Sequence, residues 1–203
     1  MEQIFVSNKK LSKQTVQKIV TLLEAGGVII YPTETAYAIG GDARNKKTIK
    51  KIYQIKKRTA NFPLPVIVGN IEQAKKFALF DPVSSMLAKK YWPGALTLVL
   101  KKKKGIPALL TAGKQTIAMR VSGNSIAREI AKGLGGPIIS TSANDSMEKE
   151  CYSVKAIQKQ ISNLEKKVAL VVNIGKLPKV KPSTIVKASS KKIVLLRRGS
   201  ITF

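Results

Sequence analysis

The chain has 203 residues, with 37 Lys and Arg against 11 Asp and Glu and no histidine, giving a formal net charge of +26. Without histidine, the sequence cannot supply a Ser-His-Asp or Cys-His nucleophile, a zinc-peptidase motif or an imidazole relay. Its single cysteine, Cys151, excludes an internal disulfide framework and a multi-cysteine metal site.

Helix and strand signals alternate along the chain. Val16, Ile19, Val20 and Leu23 repeat at helical spacing and predict a first helix, which Gly26-Gly27 stop. Val28–Tyr31 reads as a buried strand, and Thr48–Ile55 as a helix with Ile49, Ile52 and Tyr53 inward. Val66–Val68 is a strand, followed by Asn70 as N-cap of a helix from Ile71. A helix over Val83–Tyr91 ends at Pro93-Gly94, before strands at Leu96–Leu100 and Ile117–Val121. Ile126, Ile130 and Leu134 line a helix closed by Gly135-Gly136, and Ile138-Ile139 opens a strand. Val154, Ile157, Ile161 and Leu164 line one more helix. The tail predicts strands at Val168–Val172, Thr184–Val186, Ile193–Leu196 and Ile201–Phe203. The pattern is that of an α/β fold, a mixed sheet flanked by helices. Lys176–Pro182 is the best linker candidate, but too little chain follows it for a second domain, so 1–203 reads as one domain. No apolar stretch approaches the roughly 20 residues of a membrane span. The N-terminus lacks a secretory signal, which predicts a cytoplasmic protein without membrane contact.

The excess charge favours polyanions such as phosphate esters, nucleotides or a nucleic-acid backbone. Lysines are nevertheless scattered, as in Lys46-Lys47, Lys75-Lys76 and Lys101–Lys104, the pattern of a solvated surface. An RNA-binding protein without catalytic activity is one class of function that the charge suggests. Aromatic residues make up only 5% and no stacking pattern interleaves with the lysines, so single-strand readout is disfavoured. Shape-based binding of tRNA or double-stranded RNA needs no such aromatics.

Four segments set polar groups beside strand ends, where α/β folds bind ligands. Thr33-Glu34-Thr35 follows the second predicted element and reads most simply as a helix cap. Lys56 and Arg58 flank Lys57 at a helix end, either clamping phosphates or complementing the helix dipole. Ser140-Thr141-Ser142-Ala143-Asn144 offers three hydroxyls and an amide, and otherwise is an ordinary turn. Arg120 ends an apolar strand, where a charge is seldom buried without an anionic partner. Ser183-Thr184 and Arg197-Arg198-Gly199 are weaker additions, and no Walker loop or dinucleotide fingerprint is present.

Taken in order, Thr33-Glu34-Thr35-Ala36-Tyr37, Lys56-Lys57-Arg58, Pro63-Leu64, Trp92-Pro93-Gly94, Arg120 and Ser142-Ala143-Asn144 closely resemble the YrdC/TsaC family of threonylcarbamoyl-AMP synthases, in the short single-domain form. The resemblance implies a twisted sheet around a large basic concave cavity. It implies a nucleotidyltransferase that makes threonylcarbamoyl-AMP and pyrophosphate from L-threonine, bicarbonate and ATP, with Mg²⁺ carried by the nucleotide and no metal site in the protein. It also implies a downstream threonylcarbamoyl transferase complex that modifies tRNA. By the same resemblance Lys56 and Arg58 are catalytic and handle the ATP phosphates, with Ser142, Asn144 and Arg198 also on the nucleotide. Thr33, Arg120, Ser140 and Ser183 fall to the threonine substrate. The chain departs from the family at Thr59, where proline usually follows the Lys-x-Arg pair, and at Asp145-Ser146-Met147 after Ser-x-Asn.

Overall fold

Residues 1–7, 10–146, 148–189 and 192–202 are described by a computed structural model. The chain opens with β1 (Glu2–Phe5), which has no strand signature in the sequence, and continues into α1 (Lys13–Glu24). Ser12 caps that helix by accepting the Thr15 N–H at 3.1 Å. Next come β2 (Ile29–Pro32), β3 (Tyr37–Gly40) and α2 (Lys46–Ile55), whose Asn45 cap accepts the Lys47 and Thr48 N–H groups. Then follow β4 (Val66–Val68), α3 (Ile71–Phe77) behind its Asn70 cap, β5 (Ala78–Leu79), α4 (Pro82–Tyr91), β6 (Leu96–Lys102) and β7 (Thr116–Val121). The second half consists of α5 (Ser125–Gly133), β8 (Ile138–Ile139), β9 (Thr141–Ser142), α6 (Val154–Gln160), α7 (Leu164–Lys167), β10 (Leu170–Asn173), β11 (Thr184–Ser189) and β12 (Lys192–Arg197).

The strands divide between two mixed sheets. One has the order β1-β10-β2-β3-β9; the other runs β12-β11-β6-β7-β4-β8, with β5 also paired to β6. In the first sheet two parallel pairs (β1 with β10, β10 with β2) are followed by two antiparallel ones (β2 with β3, β3 with β9), whereas in the second parallel pairs (β11 with β6, β4 with β7) alternate with antiparallel ones such as β6 with β7. Helices α1 and α5 pack together through Ile19, Leu23, Ile126 and Ile130, and cover Ile29 and Ile67 of the two sheets. A larger core gathers Ile30, Tyr37, Ile49, Ile52, Leu98 and Met119 with the apolar faces of the remaining helices.

Three sequence expectations change. The helix expected from Val154 to Leu164 breaks in two, because Ile161 is extended and Asn163 adopts φ 52°. Ile157, Ile161 and Leu164 are buried all the same, so the apolar spacing marked a face whose backbone is not continuous. Ile201 and Thr202 form no strand, and Phe203 lies outside the described residues. Thr33-Glu34-Thr35 caps no helix; it turns the chain from β2 into β3.

β12 closes the second sheet and has β11 as its only strand neighbour among the described residues. Ile193, Leu195 and Leu196 on it are 46%, 44% and 54% exposed. No helix among the described residues is long and apolar enough to cross a membrane.

Candidate active site

A cavity of about 380 Å³ opens where the two sheets face each other. Strand alternation decides what lines it. On β6, Leu96, Leu98 and Leu100 enter the core while Thr97 and Val99 face the cavity. On β7, Ile117, Met119 and Val121 are buried in the core while Ala118 and Arg120 face the cavity. The β2–β3 turn contributes Thr33 and Thr35, the β8–β9 segment Ser140, Thr141 and Ser142, and the C-terminal strands Ser183 and Arg197.

Arg58 reaches the cavity, but Lys56 stands behind its wall. The end of α2 separates the three neighbouring cations. Lys57 takes the left-handed conformation, with φ 49°, and sends its own side chain out to Asp145 at 2.9 Å. Lys56 turns inward and is only 2% exposed. Its ammonium donates to the Ser142 carbonyl (2.7 Å), the Asn144 carbonyl (2.9 Å) and Asn144 Oδ1 (2.8 Å). All three ammonium hydrogens are therefore engaged. Ser142 Oγ donates to the same Oδ1 at 2.6 Å, and Ser146 Oγ donates back to the Lys56 carbonyl at 2.7 Å. Burial, with Arg58 beside it, pushes the Lys56 ammonium down to about 8. Asn144 is buried behind Ser142 and holds the loop through a bond from Nδ2 to the Glu148 carbonyl. Met147, in the same departure from the family pattern, lies outside the described residues. Arg58 lies 5.2 Å from the Phe62 ring centre, and partial burial lowers its proton affinity.

Arg120 has the anionic partner that its burial required. Its Nη1 lies 3.0 Å from Glu34 Oε1, close enough for an ion pair although not aligned as a hydrogen bond, and Ser122 Oγ donates to the other oxygen of Glu34. Thr33 lines the cavity, yet its hydroxyl donates to the Ala36 carbonyl at 2.7 Å and accepts the Thr35 and Ala36 N–H groups. That hydroxyl is spent on the turn. Ser140 faces the cavity beside the Tyr31 phenol, whose own proton affinity burial raises. Ser183 shares a 2.9 Å bond with Thr97 and accepts Arg197 Nη2 at 2.9 Å.

Arg198 is not on this cavity; it borders a separate groove with Ile193, Leu195 and Ile201. Its neighbour Arg197 takes the inner position, since adjacent residues at a strand end point to opposite sides. The chain then passes close to the start of β11 at Gly199, where a Cβ would run into the Pro182 carbonyl oxygen. Trp92-Pro93-Gly94 also stays off the cavity. Trp92 Nε1 donates to the Leu96 carbonyl at 2.7 Å and the Gly94 N–H to that of Val121 at 2.8 Å, fastening the start of β6 to the end of β7. Four lining or supporting residues had no role assigned from the sequence: Glu34, Thr35 and Arg197, which fell inside noted segments, and Glu150, which did not. Only Glu34 was within reach, as the acid that a buried Arg120 demands. Among the described residues no group of three metal-binding side chains exists.

The family model for the Sua5/YciO/YrdC domain, described as "Telomere recombination", matches residues 21–199. A Methanocaldococcus jannaschii protein is 34% identical over 98% of this chain and 92% of its own length. The threonylcarbamoyl-AMP synthase of Vibrio vulnificus is 32% identical over 90% of this chain and 97% of its own. Pyrococcus abyssi Sua5, solved in complex with L-threonine, superposes with a TM-score of 0.90 at 29% identity, covering 98% of this chain and 58% of that one. The chain thus spans little more than half of that protein. Escherichia coli YciO superposes with a TM-score of 0.86 at 28% identity, over 98% of this chain and 96% of its own.

Proposed function

The chain belongs to the Sua5/YciO/YrdC family, and from that premise we propose that it is a threonylcarbamoyl-AMP synthase. In this reading the single domain 1–203 is a cytoplasmic nucleotidyltransferase. It joins L-threonine, bicarbonate and ATP into threonylcarbamoyl-AMP and pyrophosphate, for transfer to tRNA by a separate transferase. The observation that carries it is the convergence of Arg58, Arg120 and Arg197, from three distant parts of the sequence, on one hydroxyl-lined cavity.

Chemistry without histidine suits these substrates. The threonine amine adds to bicarbonate with loss of water, and an oxygen of the carbamate then displaces pyrophosphate from the α-phosphorus of ATP. Carbamate, nucleotide and leaving group are all anionic, so repulsion and alignment dominate the barrier. Fixed cations and oriented hydroxyls reduce both. Arg58 supplies a guanidinium for the phosphate chain, and Ser142 a hydroxyl beside it. Arg120, steadied by Glu34, and Arg197, steadied by Ser183, take the threonine carboxylate. Lys56 acts as a positioning residue that shapes the Ser142–Asn144 loop from behind. Mg²⁺ would arrive with ATP, held largely by phosphate oxygens and water.

Incubation with ATP, bicarbonate and L-threonine, followed by direct detection of pyrophosphate and the adenylate, tests the proposal. Pyrophosphate release that depends on threonine is expected. Folded protein that releases none would remove this function.

A further inference from the structure

Among the described residues on the cavity wall, Glu150 is the only carboxylate, alongside Arg58, Arg120 and Arg197. Its side chain makes no hydrogen bond or ion pair with another described residue, whereas Glu34 is held by Arg120 and Ser122. Glu150 follows the Ser142–Asn144 loop, which the bond from Asn144 Nδ2 to the Glu148 carbonyl fastens just before it. It lies within electrostatic reach of Arg197, which is itself within reach of Arg120, and all three line the same cavity.

An unpaired carboxylate is a liability in a site for bicarbonate, a carboxylate and a triphosphate, because it repels all three. It becomes useful only opposite a cation. The substrates bring two, the metal on ATP and the ammonium of the amino acid. A hard divalent ion prefers several oxygen ligands, and no metal-binding cluster surrounds Glu150 among the described residues. A single carboxylate on the same cavity wall as Arg197 and Arg120 instead matches a zwitterion, whose opposite charges lie a few ångströms apart.

We propose that Glu150 is a specificity-determining residue that pairs with the substrate ammonium while Arg120 and Arg197 take its carboxylate, so that the cavity selects α-amino acids over hydroxy acids. This rests on the synthase reading and adds the group that distinguishes threonine from its desamino counterpart, 3-hydroxybutyrate.

Calorimetric titration of the wild type, Glu150→Gln and Glu150→Asp with L-threonine and with 3-hydroxybutyrate tests it. Loss of a charge-assisted contact should weaken threonine binding by roughly tenfold or more in Glu150→Gln. Binding of 3-hydroxybutyrate should be unchanged or tighter, and Glu150→Asp should recover part of the preference. The same threonine-to-hydroxybutyrate ratio in wild type and Glu150→Gln overturns the inference. So does a variant whose only change is its Mg²⁺ requirement. A wild type that releases threonine-dependent pyrophosphate but shows that unchanged ratio refutes the role of Glu150 alone. A folded wild type that neither binds threonine nor releases pyrophosphate removes the synthase reading, and this inference with it.

Discussion

Lys56 and Asn144 meet behind the cavity wall, with the ammonium 2.8 Å from the side-chain oxygen and 2.9 Å from the backbone carbonyl of the same residue. The Lys-x-Arg and Ser-x-Asn pairs are therefore two halves of one structure, and each divides its labour. Lys56 and Asn144 brace each other inside, while Arg58 and Ser142 face the ligand space.

Lys56→Met should lower stability at pH 7 by roughly 1–3 kcal/mol, since the buried Asn144 carbonyl loses its donor and the Ser142 carbonyl and Asn144 Oδ1 each lose one of two. Activity should fall with it, through the displaced Ser142 rather than a lost phosphate contact. Urea unfolding read beside pyrophosphate release separates the two. A fully stable Met variant with unchanged activity would refute the bracing role.

Stability should also depend on alkaline pH in a way that only the wild type shows. The Lys56 ammonium titrates near 8 in the folded chain and near 10.5 when unfolded. Between these values the unfolded state holds the extra proton, so stability rises with pH across that window. The penalty for burying the charge is complete below about pH 8 and fades toward 10.5. Compared with Lys56→Met, the wild type should gain unfolding free energy from pH 7 to pH 9.5. Parallel pH curves for the two proteins would contradict this.

Arg58→Ala should reduce synthase activity by tenfold or more, because a charge-assisted phosphate contact is worth roughly 1.5–3 kcal/mol. Lys57→Ala should be almost silent. Its ion pair with Asp145 has a lysine side chain 70% exposed to solvent, where such pairs contribute little. Comparable losses at both positions would show that bulk charge matters and placement does not.

Glu34→Ala should destabilise the protein by roughly 3–5 kcal/mol, as it strands the buried Arg120 guanidinium. Arg120→Met in that background should restore part of the loss. A double-mutant cycle by urea unfolding measures the coupling, and strict additivity would show the pair to be inert.

The substrate order should be threonine, then serine, then valine, with the larger gap at valine. A pocket that hydrogen-bonds the hydroxyl leaves its own polar group unpaired when valine binds, whereas serine lacks only a methyl, worth about 1–3 kcal/mol. Ser140→Ala should narrow the threonine-to-valine gap. Thr33→Val should chiefly loosen the β2–β3 turn, whose carbonyl and N–H groups its hydroxyl satisfies. Pyrophosphate release with each amino acid decides between the two hydroxyls.

Much of this architecture was legible because periodicity reports burial directly. The inward faces of α1, α2 and α5 and the strands β4, β6 and β7 carry enough apolar residues to declare themselves. Strands β5 and β9 were too short for any pattern, and β3, Tyr37-Ala38-Ile39-Gly40, hid among turn-forming neighbours. At the site, residue types were readable and directions were not. Whether Lys56 or Arg58 faces the ligand depends on the left-handed turn at Lys57, and the choice between Arg197 and Arg198 on the register of a terminal strand. A one-residue slip in a strand exchanges its two faces, which is why Arg198 was the wrong neighbour to choose.

The outer edge of β12, unpaired among the described residues, has a consequence for how the protein behaves in solution. Ile193, Leu195 and Leu196 sit on a strand whose free side can template pairing with another copy, and natural proteins commonly block such edges with charge. Here a net charge of +26 spread over the whole surface keeps copies apart at a distance. That protection is borrowed from dilute buffer. At about 1 M salt the screening length contracts to about 3 Å, and the apolar edge is left without its long-range guard. A high-salt wash, the usual way to strip polyanions from a basic protein, is thus the condition in which this one is most prone to precipitate.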